Sequence, residues 1–397
     1  MGFVRPRTKT LLLVFLILIA YIAAFGVRLY ARGYTLFFRD YLRWLVTPRL
    51  PAASPTHVFL LFVDHFEPDY DAARVARWSQ RYRALAARHR DSVGRPPQHT
   101  FFYPAEQTEP EILSQLQALT QAGLGEVELH FHHDFDTADT LRPQLEHGIA
   151  EMQRYGFLLT DHGETRFGFI HGNWGLDNAD GPWLCGVNEE LKLLKDLGCY
   201  ADFTFPSVYD YAQPPVVNRI YTARDDARPK SYADVWPLTD LDRSDSLMIF
   251  EGPLVFAPSF SVKHLFFDLE DGNIHASVPA SARRADSWIR ANVHVAERPD
   301  WVFIKLFAHG VSTAGDEDAV LGEAFDRTLS YLERHYNDGR RYRLRYITAR
   351  EGYNLARAAA FGATGDPDTY LETPIGPYVA ARVAARGAPS CVVRAAD

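Results

Sequence analysis

Glu126-Val127-Glu128-Leu129-His130-Phe131-His132-His133-Asp134 is the stretch whose reading decides the fold. It reads as a buried strand that ends in a dense group of imidazoles and a carboxylate. Without thiolates, those are the ligands a divalent metal prefers. On a strand, His130 and His132 project to the same side. Asp134 lies four residues beyond His130, where a turn after the strand can close around one ion. Upstream, Val63-Asp64-His65-Phe66-Glu67 ends a second apolar run with the same residue types.

Other elements follow in both directions. Val58 to Val63 is continuously apolar, as in a strand buried on both faces. Thr100 to Tyr103, Phe167 to Ile170, Asp202 to Phe205, Leu247 to Phe250, Trp301 to Phe307 and Leu344 to Thr348 read as further strands. Between them lie helical patterns. One carries Ile112, Leu113, Leu116 and Leu119, with capping-box spacing at Thr108 and Glu111 and a stop at Gly123. Others carry Leu145, Ile149 and Met152, then Leu191, Leu194 and Leu197 after a cap at Asn188, then Phe325, Leu329, Leu332 and Tyr336. Repeated strand–helix alternation predicts an α/β fold with about seven parallel strands in a distorted (β/α) barrel, with an open doubly wound sheet as the rival. In either, polar groups at the C-terminal strand ends are the catalytic candidates. Asp64, His65, Glu67, His130, His132, Asp134, His171, Asp202 and His309 all fall there. Residues 219–246 and 263–298 read as long loops.

The N-terminal end is different. After a basic tail (residues 1–10), Leu11 to Val27 is uninterrupted and apolar, and the run extends to residue 31. That predicts a single transmembrane anchor over residues 11–31, with a cleavable signal peptide as the rival. Residues 32–55 form a juxtamembrane segment in which Arg32, Arg39 and Arg43 alternate with aromatics. It suits either a helix lying in the membrane interface or an amphipathic helix packed on the domain. Pro48 to Pro55 reads as a linker, residues 56–356 as the catalytic domain and 357–397 as an Ala/Gly/Pro-rich tail.

The net charge of −8 argues against a nucleic-acid partner. Cys185, Cys199 and Cys391 have no metal-type spacing, and nothing demands a disulfide. No serine sits in a nucleophile-elbow context.

The order of these elements resembles the polysaccharide deacetylases, the NodB-homology carbohydrate esterases. Phe62-Val63-Asp64-His65-Phe66 stands where the family has T-F-D-D-G. Thr100-Phe101-Phe102, a helix and the 126–134 stretch stand where it has T-F-F, a helix and H-[ST]-x-x-H. Phe169 to Gly175, Leu197 to Asp202 and Leu306-Phe307-Ala308-His309 follow in the family's order. The likeness spans roughly residues 56–350. His65 replaces the family's second Asp, Asp134 replaces its second His, and the Arg of the third motif is absent.

The resemblance implies a divalent ion, usually zinc, that polarises a water and an acetyl carbonyl. It gives Asp64 as general base, His65, His130 and Asp134 as ligands with His132 as a substitute, His309 as general acid and Asp202 as its orienting carboxylate. His171 or Asn173 would stand in for the missing Arg, and Trp174 with Trp183 would stack on sugar rings. The expected protein is an inner-membrane, single-pass enzyme whose catalytic domain faces the periplasm. It would deacetylate an exopolysaccharide or envelope glycan and work beside synthesis or export machinery. A glycoside hydrolase using Asp64, Glu67 and Asp202, and an inactive glycan-binding barrel, are the alternatives.

Overall fold

The computed structural model describes residues 6–47, 55–259 and 262–382. In chain order the elements are α1 (Pro6–Ala31), α2 (Phe38–Val46), β1 (Thr56–His65), α3 (Ala72–Ala86), β2 (His99–Pro104), α4 (Pro110–Gln121), β3 (Gly125–Phe131), α5 (Ala138–Gln153), β4 (Phe167–His171), α6 (Glu190–Asp196), β5 (Cys199–Asp202), β6 (Arg219–Arg224), β7 (Ser246–Glu251), β8 (Val255–Pro258), β9 (Phe267–Glu270), α7 (Ala282–Ala291), β10 (Val293–Val295), β11 (Arg298–Ala308), α8 (Ala314–Leu321), α9 (Glu323–His335), β12 (Tyr342–Ile347), α10 (Ala349–Ala360) and α11 (Val379–Arg382).

One ten-stranded sheet runs β10-β11-β1-β2-β3-β4-β5-β7-β6, with β12 paired to β1. All its pairings are parallel except β10 to β11 and β6 to β7. Strand β1 is long enough to serve two neighbours on one side. Its first half pairs with β12 and its last residues with β2. The eight apolar runs read as strands are therefore the parallel strands. Among the described residues the sheet is not closed, so the predicted barrel is not confirmed. The edges β6 and β10 approach each other but do not pair, and each is an antiparallel add-on that ends the parallel ladder.

Alternation along β1 separates two cores. Val58, Leu60 and Phe62 face a layer that includes Trp78, Leu116, Leu145 and Leu329 from the surrounding helices. Phe59, Leu61 and Val63 face the opposite side, where α10 packs through Leu355, Ala356 and Ala359. Each large apolar side chain buried this way contributes about 1.5–3 kcal/mol. Lys305 of β11 also enters the α10 side, donating to the carbonyls of Phe203 (2.8 Å) and Phe205 beyond β5. Behind it, Arg350 makes a two-pronged pair with Glu126 at 2.7 and 3.1 Å.

Several local expectations need correction. The 202–205 strand lies three residues earlier, at β5. Glu109, not Thr108, precedes α4 with no side-chain cap, and Pro110 supplies its first turn. Glu189, not Asn188, precedes α6. The supposed loops 219–246 and 263–298 hold β6, β9, α7 and β10. The domain does not end at 356, which falls inside α10. The chain to residue 382 packs back on it, with Tyr378 buried and its hydroxyl on Glu128 at 2.9 Å. The rest of the predicted tail (383–397, with Cys391), the linker residues 48–54 and the first five residues lie outside the described residues. Cys185 and Cys199 are free and buried.

Thr10–Ala31 is long and apolar enough to cross a membrane. The same length and composition also fit a signal sequence. Its last turns are docked on the domain. The Tyr21 hydroxyl donates to the Leu265 carbonyl (2.8 Å), Arg28 to the Phe267 carbonyl (2.6 Å), and Phe25 meets Phe256 and Phe267 edge-on. Helix α2 packs on the domain as well. Asp40 accepts from the Val217 amide, the Tyr41 hydroxyl from the Phe256 amide, and Trp44 donates to the Ala291 carbonyl. Leu42, Leu45 and Val46 remain exposed.

Candidate metal centre

Parallel pairing brings the C-terminal ends of β1, β3 and β11 to one edge of the sheet. His65 ends β1, His130 and His132 end and follow β3, and His309 follows β11. Glu67 sits in the turn after β1, fixed by its amide to the His65 carbonyl (3.0 Å). Its Oε1 lies 2.8 Å from His130 Nε2, 3.7 Å from His132 Nε2, and 3.9 Å from both His65 Nδ1 and His309 Nε2. Four imidazoles thus surround one carboxylate oxygen.

The far sides of two rings are tied down. His130 Nδ1 lies 2.9 Å from the Ile170 carbonyl, and His132 Nδ1 lies 2.6 Å from Glu106 Oε1. Both partners are acceptors, so each Nδ1 carries a proton and each ring turns its Nε2 toward Glu67. A carbonyl or carboxylate behind the ring is the arrangement that orients metal-ligating histidines. His65 Nδ1 is buried and has no hydrogen-bond partner. Burial, then the neighbouring imidazoles of His309, His130 and His132, push its pKa well below the ordinary value. Burial works to raise Glu67, but the His130 bond and the surrounding imidazoles outweigh it and lower its pKa. Ring nitrogens converging from several sides on one carboxylate oxygen fit a cation taking the place of the Nε2 protons. Glu67, His130 and His132 form one set of donors within 4.8 Å of one another, and His65, Glu67 and His309 form another.

The site opens to solvent. His309 is 39% exposed, and a cleft lined by Glu67, Asn273, His275, His309, Ser312 and Asp316 leads to it. Trp174 walls it, 5.0 Å from the His65 ring and 5.9 Å from Phe307, with a left-handed backbone at φ 61°. Trp183 is exposed. Gly172 permits the close approach of His132, since a Cβ there would lie 2.3 Å from its Cδ2.

Five of the expected site residues lie elsewhere. Asp64 points to the helix-facing side of β1, opposite His65, because strand neighbours alternate. It accepts from the Gly310 amide (2.7 Å) and lies 2.9 Å from His99 Nε2, so it anchors the turn after β11. Asp202 bonds the Thr204 hydroxyl (2.7 Å) rather than orienting His309, and burial pushes its pKa up to about 7. Asp134 is exposed and belongs to neither donor set. His171 lies on the helix-facing side with His133, Cys185 and Glu190. Asn173 supports the same region, donating its Nδ2 to the His133 carbonyl (2.8 Å).

By donor type and spacing, that buried quartet could hold an ion. Its hydrogen bonds instead describe an ion pair. His133 Nε2 lies 3.0 Å from Glu190 Oε1, while Glu190 Oε2 accepts from the Asp177 amide (2.6 Å). The Asn173 amide donates to His171 Nδ1 (3.2 Å), which leaves the ring proton on Nε2, facing Glu190.

The reading from sequence gave Glu67 a minor role and missed Glu106. Glu67 was within view, three residues past Asp64. Glu106 lies in the turn after β2, where only the folded chain reveals that it reaches His132. No family model, curated protein or solved structure matches the chain.

Proposed function

We propose that the chain is a membrane-anchored, metal-dependent hydrolase that removes acetyl groups from a polysaccharide. The observation that carries this reading is the pair His130 and His132. Each is anchored through Nδ1 by an acceptor, and each aims Nε2 at Glu67. With Glu67 they form a two-histidine, one-carboxylate set suited to zinc. A divalent ion held there would polarise an acetyl carbonyl and acidify a water. Ile170 and Glu106 hold the two rings at fixed angles, so little reorganisation is needed on loading. His65 and His309 approach the same carboxylate from the cleft side, and Trp174 offers an apolar wall for a sugar ring. The docked last turns of α1 support a retained anchor in the inner membrane, with the domain on the periplasmic side next to newly exported polymer.

The rival glycoside hydrolase needs two carboxylates flanking a groove. Asp64 and Asp202 are buried in separate hydrogen-bond networks, which leaves Glu67 as the only one of its three acids at the cleft. The test is acetate release from an acetylated polysaccharide by the full chain in detergent. Release that stops with a chelator and returns with zinc is expected. Cleavage of the sugar chain indifferent to chelator would replace this reading with the glycosidase. Glycan binding without turnover would replace it with a non-catalytic glycan-binding domain serving synthesis or export machinery.

A further inference from the structure

We propose that the mouth of the sheet holds two divalent ions sharing the Glu67 carboxylate, the second bound by His65 and His309. This rests on the preceding assignment of Glu67, His130 and His132 as an ion site and adds a second ion to it.

The argument is one of size. Donors on opposite sides of a single zinc are at most about 4.2 Å apart, twice the bond length to nitrogen or oxygen. Within each set, Glu67–His130–His132 and His65–Glu67–His309, the donor atoms lie within 4.8 Å of one another. The five donors do not all do so, and the sets meet only at Glu67. One ion therefore cannot gather all four imidazoles without moving strand ends. Two ions bridged by a carboxylate can, at the roughly 3.5–4 Å separation common to two-metal hydrolases.

Three further observations fit. His65 Nδ1 is buried, lacks a hydrogen-bond partner and lies 3.9 Å from Glu67 Oε1. The His65 and His309 rings lie 4.5 Å apart at 31°, so both can face one point beside Glu67. Two more carboxylates stand close enough to offset the added charge: Glu106 behind His132, and Asp316 in the cleft beside His309. In this assignment His309 is a ligand, in place of the proton donor that the family resemblance implies.

The test uses the full chain in detergent, stripped of metal and titrated with Mn2+. The account expects two equivalents per chain and an electron paramagnetic resonance spectrum of exchange-coupled ions. His309→Ala and His65→Ala should each reduce binding to one equivalent and convert the spectrum to that of an isolated ion. The equivalent that remains shows that the variant is folded. His130→Ala should also leave one equivalent, now at the other set, and Glu67→Ala should weaken both. A single equivalent in the parent, lost in His130→Ala and untouched by His309→Ala, would overturn the second ion and leave the proposed function standing. No bound Mn2+ and no bound Zn2+ in the parent would overturn both.

Discussion

Glu106→Ala tests how the metal centre is organised without touching a ligand. Glu106 is 28% exposed and holds His132 Nδ1 at 2.6 Å. Its removal leaves the ring free to rotate away from Glu67, which lies 3.7 Å from the other nitrogen. Losing such a carboxylate behind a ligating histidine typically weakens metal affinity or activity by about 10–100-fold, or roughly 1.4–2.7 kcal/mol. Glu106→Gln keeps an acceptor oxygen but loses the charge, and a neutral hydrogen bond is roughly half as strong. It should therefore fall between the parent and the alanine variant. Because Glu106 is partly solvated, either change should alter folding stability by no more than about 0.5 kcal/mol. Zinc affinity by competition with a chromophoric chelator, alongside thermal unfolding, reads both quantities. Unchanged affinity in Glu106→Ala with unchanged stability would refute the view that this carboxylate positions His132 for an ion.

Three other outcomes follow from the packing. Glu126→Ala strands the buried Arg350 guanidinium and should destabilise by about 3–5 kcal/mol; thermal unfolding should show a loss larger than that of Glu126→Ala combined with Arg350→Met. Burial pushes Glu128 up from 4.5 to about 8, against hydrogen bonds from Tyr200, Gly168 and Tyr378. The folded state thus retains the proton longer than the unfolded one. This contribution is complete below pH 4.5 and lost as pH rises through about 8, by up to about 5 kcal/mol, and Glu128→Gln should flatten stability across that window. Gly172→Ala places a methyl group 2.3 Å from the His132 ring and should cost metal affinity while the sheet survives, measured by metal content and circular dichroism.

The parallel strands were legible because burial on both faces forces continuous apolar runs such as Phe59 to Val63. The antiparallel edges were not. β10 has only three residues, and both β6 and β10 are mixed in polarity and defined by the strands they join. Helix α3 carries its apolar stripe at Val75, Trp78, Tyr82 and Leu85, but arginines between them hide it from a reading by composition. At the site, His65, His130, His132 and His309 gather around Glu67 because the strand ends of a parallel sheet share one end. Asp64 was misplaced by trusting motif order over parity. With His65 turned to the α10 side, its neighbour has to face the helices. Asp134 lies beyond the strand, where no period applies. Sequence spacing carries no information about Glu106, which reaches His132 only through the pairing of β2 with β3.

The most direct measurement is a crystal structure of the zinc-loaded chain with anomalous diffraction at the zinc edge. The account predicts a peak about 2.0–2.2 Å from His130 Nε2, His132 Nε2 and a Glu67 oxygen. A map with no peak there, the His130–Glu67 contact still at 2.8 Å and zinc bound elsewhere, would contradict it.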